Sequence, residues 1–210
     1  MSAKLPIVVL LSGGGTNLQS IIDAARADLP VEIRAVISNR ADAFGLERAR
    51  RADIPTEVVE HRQFTDRDSY DAALMKCIDG FNPELVVLAG FMRILGDDFV
   101  RHYQGRMLNI HPSLLPRHRG LNTHSRCLEA GDAEHGASVH FVTPELDAGP
   151  IILQARVPVS PDDSPEDLAS RVLEQEHRIY PRAIRWFAEG RLKLENGHAL
   201  LDGQPALQRD

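Results

Sequence analysis

The sequence predicts an α/β protein: a doubly wound sheet of mostly parallel strands, with an antiparallel pair of strands toward the C-terminal end. Three observations lead there. Continuous apolar runs at 7–11 (IVVLL), 31–37 (VEIRAVI) and 84–90 (ELVVLAG) lack the alternation of a half-buried strand, as parallel strands covered on both faces do. Segments with apolar residues at spacings of three and four separate them, the pattern of strand–helix–strand crossovers. Alternation returns in ASVHFVT and PIILQARVPV, joined by a PELDAGP stretch too short for a crossover helix, so these two strands are read as antiparallel.

Each element follows from local signals. The first run ends at Ser12 and the glycines Gly13, Gly14 and Gly15, which lead into NLQSIIDAARA, helical by its apolar spacing. The second run closes on ISNR, and AFGLERARRA follows as a second helix. DRDSYDAALMKCIDG reads as a third, with Gly80 placed to stop it. Beyond the third run come a short helix around DDFVRHY, the strand RMLNI ended by Pro112, a polar loop and a helix in LNTHSRCLEAG. After the antiparallel pair, SPEDLASRVLEQEHRIYPRAIRWFAEG is one long helix. Ser164 caps it, Pro165 takes its first position and Asp167 stands three residues after the cap, in a box-like position. Pro181 is expected to kink or interrupt it. RLKLENGHALLDGQP reads as a small hairpin over ENGH and then fraying chain.

Composition narrows the functional classes. With 210 residues, 43% of them hydrophobic, the chain is long enough for one well-buried core. The net charge of -6 and the scattered basic residues argue against a nucleic-acid partner. Cys77 and Cys127 stand far apart with no Cys-x-x-Cys pairing, so neither a disulfide framework nor a thiolate zinc site is suggested, and a cytoplasmic location is expected. The apolar stretch from Pro6 to Leu11 is too short for a signal sequence, and no window approaches the ~18 to 20 apolar residues of a membrane span.

SGGGTN, between the first strand and first helix, suits a phosphate. Glycines let a ligand approach the backbone, and a helix start offers unpaired N–H groups with partial positive charge. The stretch has no lysine, which argues against a Walker loop. Leu18 stands where a dinucleotide fingerprint needs its third glycine, and the second strand ends in ISNR where an acidic ribose ligand is wanted. A monophosphate-bearing small molecule is favoured over a tight turn with no ligand.

Asn109 and His111, two apart at a strand end, leave the same face of the sheet, at the edge where ligands of open α/β sheets bind. Asp147, in the turn between the antiparallel strands, could reach the imidazole and favour its charged form. Neither cysteine is near this set in sequence, and it is read as having no nucleophile. An amide, an imidazole and a carboxylate without one suit acyl transfer in which the substrate itself attacks. Zinc is a rival, because His111, His118, His124, His135 and His140 fall within thirty residues of sequence, but no pair has the spacing of a zincin helix, and no metal is expected. His140 and Phe141 read as ordinary strand residues.

Five collinear blocks, VVLLSGGGTNLQSII, PELVVLAGFMRIL, RMLNIHPSLLP, GASVHFVTPELDAGPIILQARVPV and EQEHRIYP, closely resemble the folate-dependent phosphoribosylglycinamide formyltransferase family. The resemblance runs from about residue 6 to residue 193. It implies a Rossmann-like formyltransferase fold in a single domain, 1–210, with a phosphate-binding half about 1–100 and a folate-binding, catalytic half about 101–195. It also implies formyl transfer from 10-formyltetrahydrofolate to the amine of glycinamide ribonucleotide, as monomer or homodimer. Gly15, Thr16, Asn17 and Glu176 then match ribonucleotide-binding positions, and Asn109, His111 and Asp147 the catalytic set. Arg67, Met92, Arg93, Ile94, Leu95, Asn109, Thr143, Pro144, Glu145, Leu146 and Asp147 match folate-binding positions. Gly14 and Leu173 depart from the pattern, where Asn and Gln are expected, and PRHRG is more basic than the resemblance implies. Methionyl-tRNA formyltransferase and formyltetrahydrofolate deformylase share the NxHPSLLP strand end, but each carries a further domain for which this length leaves no room. Hydrolysis of the folate, or ribonucleotide binding without catalysis, are the alternatives.

Overall fold

The computed structural model describes residues 4–209, so the expected domain 1–210 extends at both ends to positions outside the described residues. The chain packs as two compact units, one ending at Leu108 and the other beginning at Asn109.

The first unit runs β1 (Leu5–Leu11), α1 (Thr16–Ala27), β2 (Val31–Ser38), α2 (Phe44–Arg51), β3 (Thr56–Val58), α3 (Arg67–Asp79), β4 (Leu85–Leu88) and α4 (Asp97–His102). Its strands lie in the order β4-β1-β2-β3, every adjacent pair parallel. The apolar runs are the interior of this sheet: Ile7 to Leu11 and Leu85 to Val87 are fully buried. Such strands need apolar side chains on both faces, which is why their sequence does not alternate. The sequence signals missed β3, three residues with Glu57 and Val58 exposed, too short and too wet to carry a pattern. Gly80 follows α3 as expected, but in right-handed geometry (φ -59°); Asn82, φ 46°, takes the left-handed position.

The second unit continues β5 (Met107–His111), whose first two residues belong to the first unit, with α5 (Thr123–Ala130), β6 (Glu134–Phe141), β7 (Ile151–Pro158) and α6 (Pro165–Ala188). β6 and β7 pair antiparallel, as predicted, with a register shift between Val139 and His140. α6 packs on both strands and buries Leu168, Val172, Ile179, Ala183 and Ile184. Its capping box forms as expected: the Ser164 hydroxyl accepts from the Asp167 N–H, and the Asp167 carboxylate accepts from the Ser164 N–H. Pro181 does not interrupt the helix. Buried Ile179 and Tyr180 before it and Ala183 and Ile184 after it hold both sides on the sheet, so tertiary packing outweighs one missing hydrogen bond.

The hairpin at the tail forms from β8 (Leu192–Glu195) and β9 (His198–Leu201) around Asn196–Gly197, both with positive φ. The chain beyond does not fray. A second left-handed pair, Asp202–Gly203, returns β10 (Gln204–Pro205) along β9, Ala206 is buried, and β11 (Gln208–Arg209) pairs parallel with β7. Among the described residues no helix is long and apolar enough to cross a membrane.

Candidate active site

In the first unit the glycine loop is pressed against α2. Gly15 has φ 71°, and a Cβ there would lie 2.6 Å from the Cα of Gly45, so neither the backbone shape nor the space admits a side chain. The Gly45 N–H donates to the Gly13 carbonyl at 2.9 Å, and Arg48 Nε donates to the Gly14 carbonyl at 2.8 Å. Gly13 and Gly14 are exposed, and α1 starts at Thr16 with no side-chain cap and no acidic residue in its first turn. The polarity of that helix start therefore faces an accessible loop without a carboxylate to offset it.

The 92–95 segment is tied to the same strand end. The Met92 N–H donates to Ser12 Oγ at 2.8 Å, and that hydroxyl donates to Asn39 Oδ1 at 2.6 Å. Met92 and Ile94 are exposed, large and apolar, while Leu95 is buried. Arg67, the first residue of α3, is exposed, and its Nε lies 3.6 Å from where a Cβ on Gly96 would stand, so it borders this segment. The Gly96 N–H donates to Asp71 Oδ2 at 2.6 Å; burial pushes the Asp71 carboxyl above its usual range.

The second unit brings Asn109, His111 and Asp147 together, and adds His140. One carboxylate oxygen of Asp147 lies 3.4 Å from His111 Nδ1, the other 3.8 Å from His140 Nε2. His111 is 6% exposed and His140 2%. His140 Nδ1 is 2.8 Å from the Phe141 carbonyl, which can only accept, so Nδ1 carries the proton. Its Nε2 is then the acceptor for the Asn109 amide at 3.2 Å, and burial lowers the His140 pKa, which keeps the ring neutral in that role. By the same reasoning His111 Nε2, 3.0 Å from the His118 carbonyl, is a donor. The His111 edge facing Asp147 is therefore Nδ1. A proton there makes an imidazolium–carboxylate pair; without it two acceptors face each other. Asp147 has φ 49°, and its Oδ2 also accepts the Gly120 N–H at 2.9 Å.

The loops on either side of this set are anchored to each other and to β6. Ser113, fully buried, donates to the Arg117 carbonyl at 2.6 Å and is spent structurally. Ser138 Oγ donates to the Ser113 carbonyl, and Gln154 Nε2 donates to Ser138 Oγ and to the Leu115 carbonyl. The basic PRHRG stretch is neutralised by acids: Arg117 and His118 pair with Asp132, at 3.1 and 2.7 Å, and Arg119 with Glu145 at 2.6 Å. Thr143 hydrogen-bonds to the Glu145 carbonyl at 3.4 Å, Pro144 is exposed, and Leu146 is 50% exposed. Glu176 lies on the buried face of α6, with Leu173 half-buried one turn before it.

A His118 ring nitrogen, Cys127 Sγ and an Asp132 carboxylate oxygen lie within 4.8 Å of one another, donor types that suit a transition metal. Both Asp132 oxygens are already engaged by Arg117 and His118, and burial holds the Cys127 thiol above its usual pKa, in its protonated form. Sequence reasoning missed His140 and His118. His140 lies in a strand whose other residues read as core; the available signal was an imidazole in an otherwise buried strand directly before a polar turn. His118 stood among the five clustered histidines, with nothing local to show that its carbonyl meets His111.

The formyl transferase family model matches residues 5–184. The chain is 59% identical over 199 residues to the phosphoribosylglycinamide formyltransferase of Escherichia coli K12, covering 94% of each chain. It is 51% identical to that of Haemophilus influenzae, also over 94% of each. Its structure is similar to that of the phosphoribosylglycinamide formyltransferase of Coxiella burnetii, with a TM-score of 0.95 and 57% identity over 98% of this chain and 99% of that one.

Proposed function

The chain belongs to the formyl transferase family, and from that premise we propose that it transfers a formyl group from 10-formyltetrahydrofolate to the amine of glycinamide ribonucleotide, in cytoplasmic purine biosynthesis. The observation that carries this reading is the Asp147 carboxylate set between His111 and His140, with the Asn109 amide on His140 and no nucleophile in the group. The neutral substrate amine attacks the formyl carbon, forming a C–N bond. The tetrahedral intermediate collapses by breaking the bond to the folate nitrogen, and the amine proton ends on that nitrogen. The second hydrogen of the Asn109 amide and a proton on His111 Nδ1 stabilise the developing oxyanion. At 3.4 Å the Nδ1–carboxylate contact is long enough for that proton to be shared with an incoming oxygen, while Asp147 balances the imidazolium and moves the amine proton directly or through water.

In the first unit, Gly15, Thr16 and Asn17 bind the ribonucleotide phosphate, and the exposed Met92 and Ile94, with Arg93, Leu95 and Arg67, serve the folate. Thr143 to Leu146, in the second unit, serve the folate as well, and Glu176 the ribonucleotide. Incubating the purified protein with 10-formyltetrahydrofolate, with and without glycinamide ribonucleotide, tests the reading. Formyl transfer that requires both substrates is expected. Loss of the formyl group without the ribonucleotide would mean a hydrolase, and ribonucleotide binding with no turnover would mean a sensor.

A further inference from the structure

We propose that His118 and Asp132 are positioning residues for His111, holding the carbonyl that fixes its proton on Nε2. This rests on the assignment of His111 to the reaction. The chain of contacts is continuous within the second unit. Asp132 Oδ2 accepts from the His118 ring at 2.7 Å, and Asp132 Oδ1 accepts from Arg117 at 3.1 Å, so one carboxylate grips two consecutive side chains. Ser113 Oγ, fully buried, donates to the Arg117 carbonyl, at one end of the peptide bond between those residues. The next carbonyl, that of His118, receives His111 Nε2.

His118 has φ 53°, a left-handed conformation that a residue with a Cβ leaves readily unless its surroundings hold it. With a free side chain, the backbone would relax toward negative φ and turn the carbonyl away. His111 Nε2 would lose its only protein acceptor in the described residues, and the ring could exchange tautomers, putting its proton on the edge facing Asp147. A neutral Nδ1–H ring could still approach an oxygen, but without the positive charge that the paired arrangement supplies. Asp132 acts on the reaction only through His118 and touches nothing that reacts.

Two substitutions at one position separate this role from general stability. His118→Leu and His118→Gln meet the same backbone strain, but only glutamine can donate to Asp132. In steady-state kinetics with both substrates, His118→Leu should lower kcat by ~10 to 100-fold, the size expected for slight misplacement of a reacting group, with both KM values within about 2-fold of wild type. His118→Gln should stay within about 3-fold in kcat, while thermal melting is matched between the two variants. Asp132→Ala should resemble His118→Leu, and the double variant should lose no more than either single one, since the two act through one contact.

A measurement independent of activity accompanies this. In ¹⁵N-detected imidazole spectra of the full-length protein, His111 should carry a slowly exchanging Nε2 proton in wild type and His118→Gln, and lose that protection in His118→Leu. If the Leu and Gln variants share wild-type kcat, or if the His111 spectrum is the same in all three, the proposal is overturned. A wild-type protein that transfers no formyl group would refute the functional reading instead, and the spectra would still decide whether His118 orients His111.

Discussion

Asn109 shows how much of a residue's chemistry depends on its neighbours. An amide has two N–H donors, and His140 takes one of them only because the His140 ring is neutral with its other nitrogen committed to the Phe141 carbonyl. That fixes which end of the amide faces His140; in the proposed reaction the second N–H serves the substrate oxygen. Removing an oxyanion donor costs about 2.7 to 4 kcal/mol in comparable acyl chemistry, so Asn109→Ala should lower kcat by roughly 100 to 1,000-fold. His111→Ala should fall at least as far, because it removes both a proposed oxyanion donor and the ring that faces Asp147. Stopped-flow formyl transfer at saturating substrates, with melting curves to show intact folding, checks both; near-full turnover in either variant would refute its role. Asn109, His111 and Asp147 were legible in the sequence because a polar pair spaced by two at a strand end has few structural uses. His140 was not, since its importance lies in which atoms surround it.

At the level of elements, the glycine loop is defined as much by α2 as by its own residues. Gly15 must lack a side chain because Gly45 of α2 lies against it, and α2 in turn holds the Gly13 and Gly14 carbonyls through the Gly45 N–H and Arg48. Gly15→Val should therefore weaken ribonucleotide binding far more than folate binding, by over 10-fold in calorimetric Kd, with the loop displaced but the sheet intact. Equal losses for both ligands, or a collapsed melting transition, would show misfolding and not a damaged phosphate site. The loop's candidate role could be proposed from SGGGTN; its close fit to AFGLERARRA could not, because nothing local marks two segments thirty residues apart as neighbours. The long helix α6 teaches the same lesson from the other side. Local rules place its cap at Ser164 correctly but fail at Pro181, where burial against β6 and β7 decides.

Across the molecule, buried histidines tie stability to pH. Burial lowers the pKa values of His124 and His140, and takes His135, fully buried with its Nε2 3.1 Å from His124 Nδ1, down to about 4. In the unfolded chain these groups titrate near ~6.5. Between those values the unfolded state binds more protons than the folded one, so the stability held above pH ~6.5 is lost as pH falls toward 4. For His135 alone the loss is up to about 2 kcal/mol by pH 5. Urea denaturation at pH 7.5 and pH 5 should show this drop, and His135→Gln should shrink the difference between the two pH values. An unchanged difference would mean that His135 is already charged in the folded protein.

The sequence by itself determined the α/β class, the parallel runs, the antiparallel pair, the helix cap at Ser164 and the residues proposed to carry the chemistry. Those features are written in local periodicity, turn residues and short polar motifs, each of which depends on only a few neighbouring positions. Only the tertiary structure decided that α6 runs through Pro181, that the tail pairs beyond its hairpin, that His140 stands beside Asn109 and Asp147, and that the PRHRG side chains are paired with acids. Each of those outcomes depends on which distant side chains are buried together. Burial sets whether an imidazole is neutral, whether a hydrogen bond can be spared and which atom of a ring faces a substrate, and no stretch of sequence contains its own surroundings.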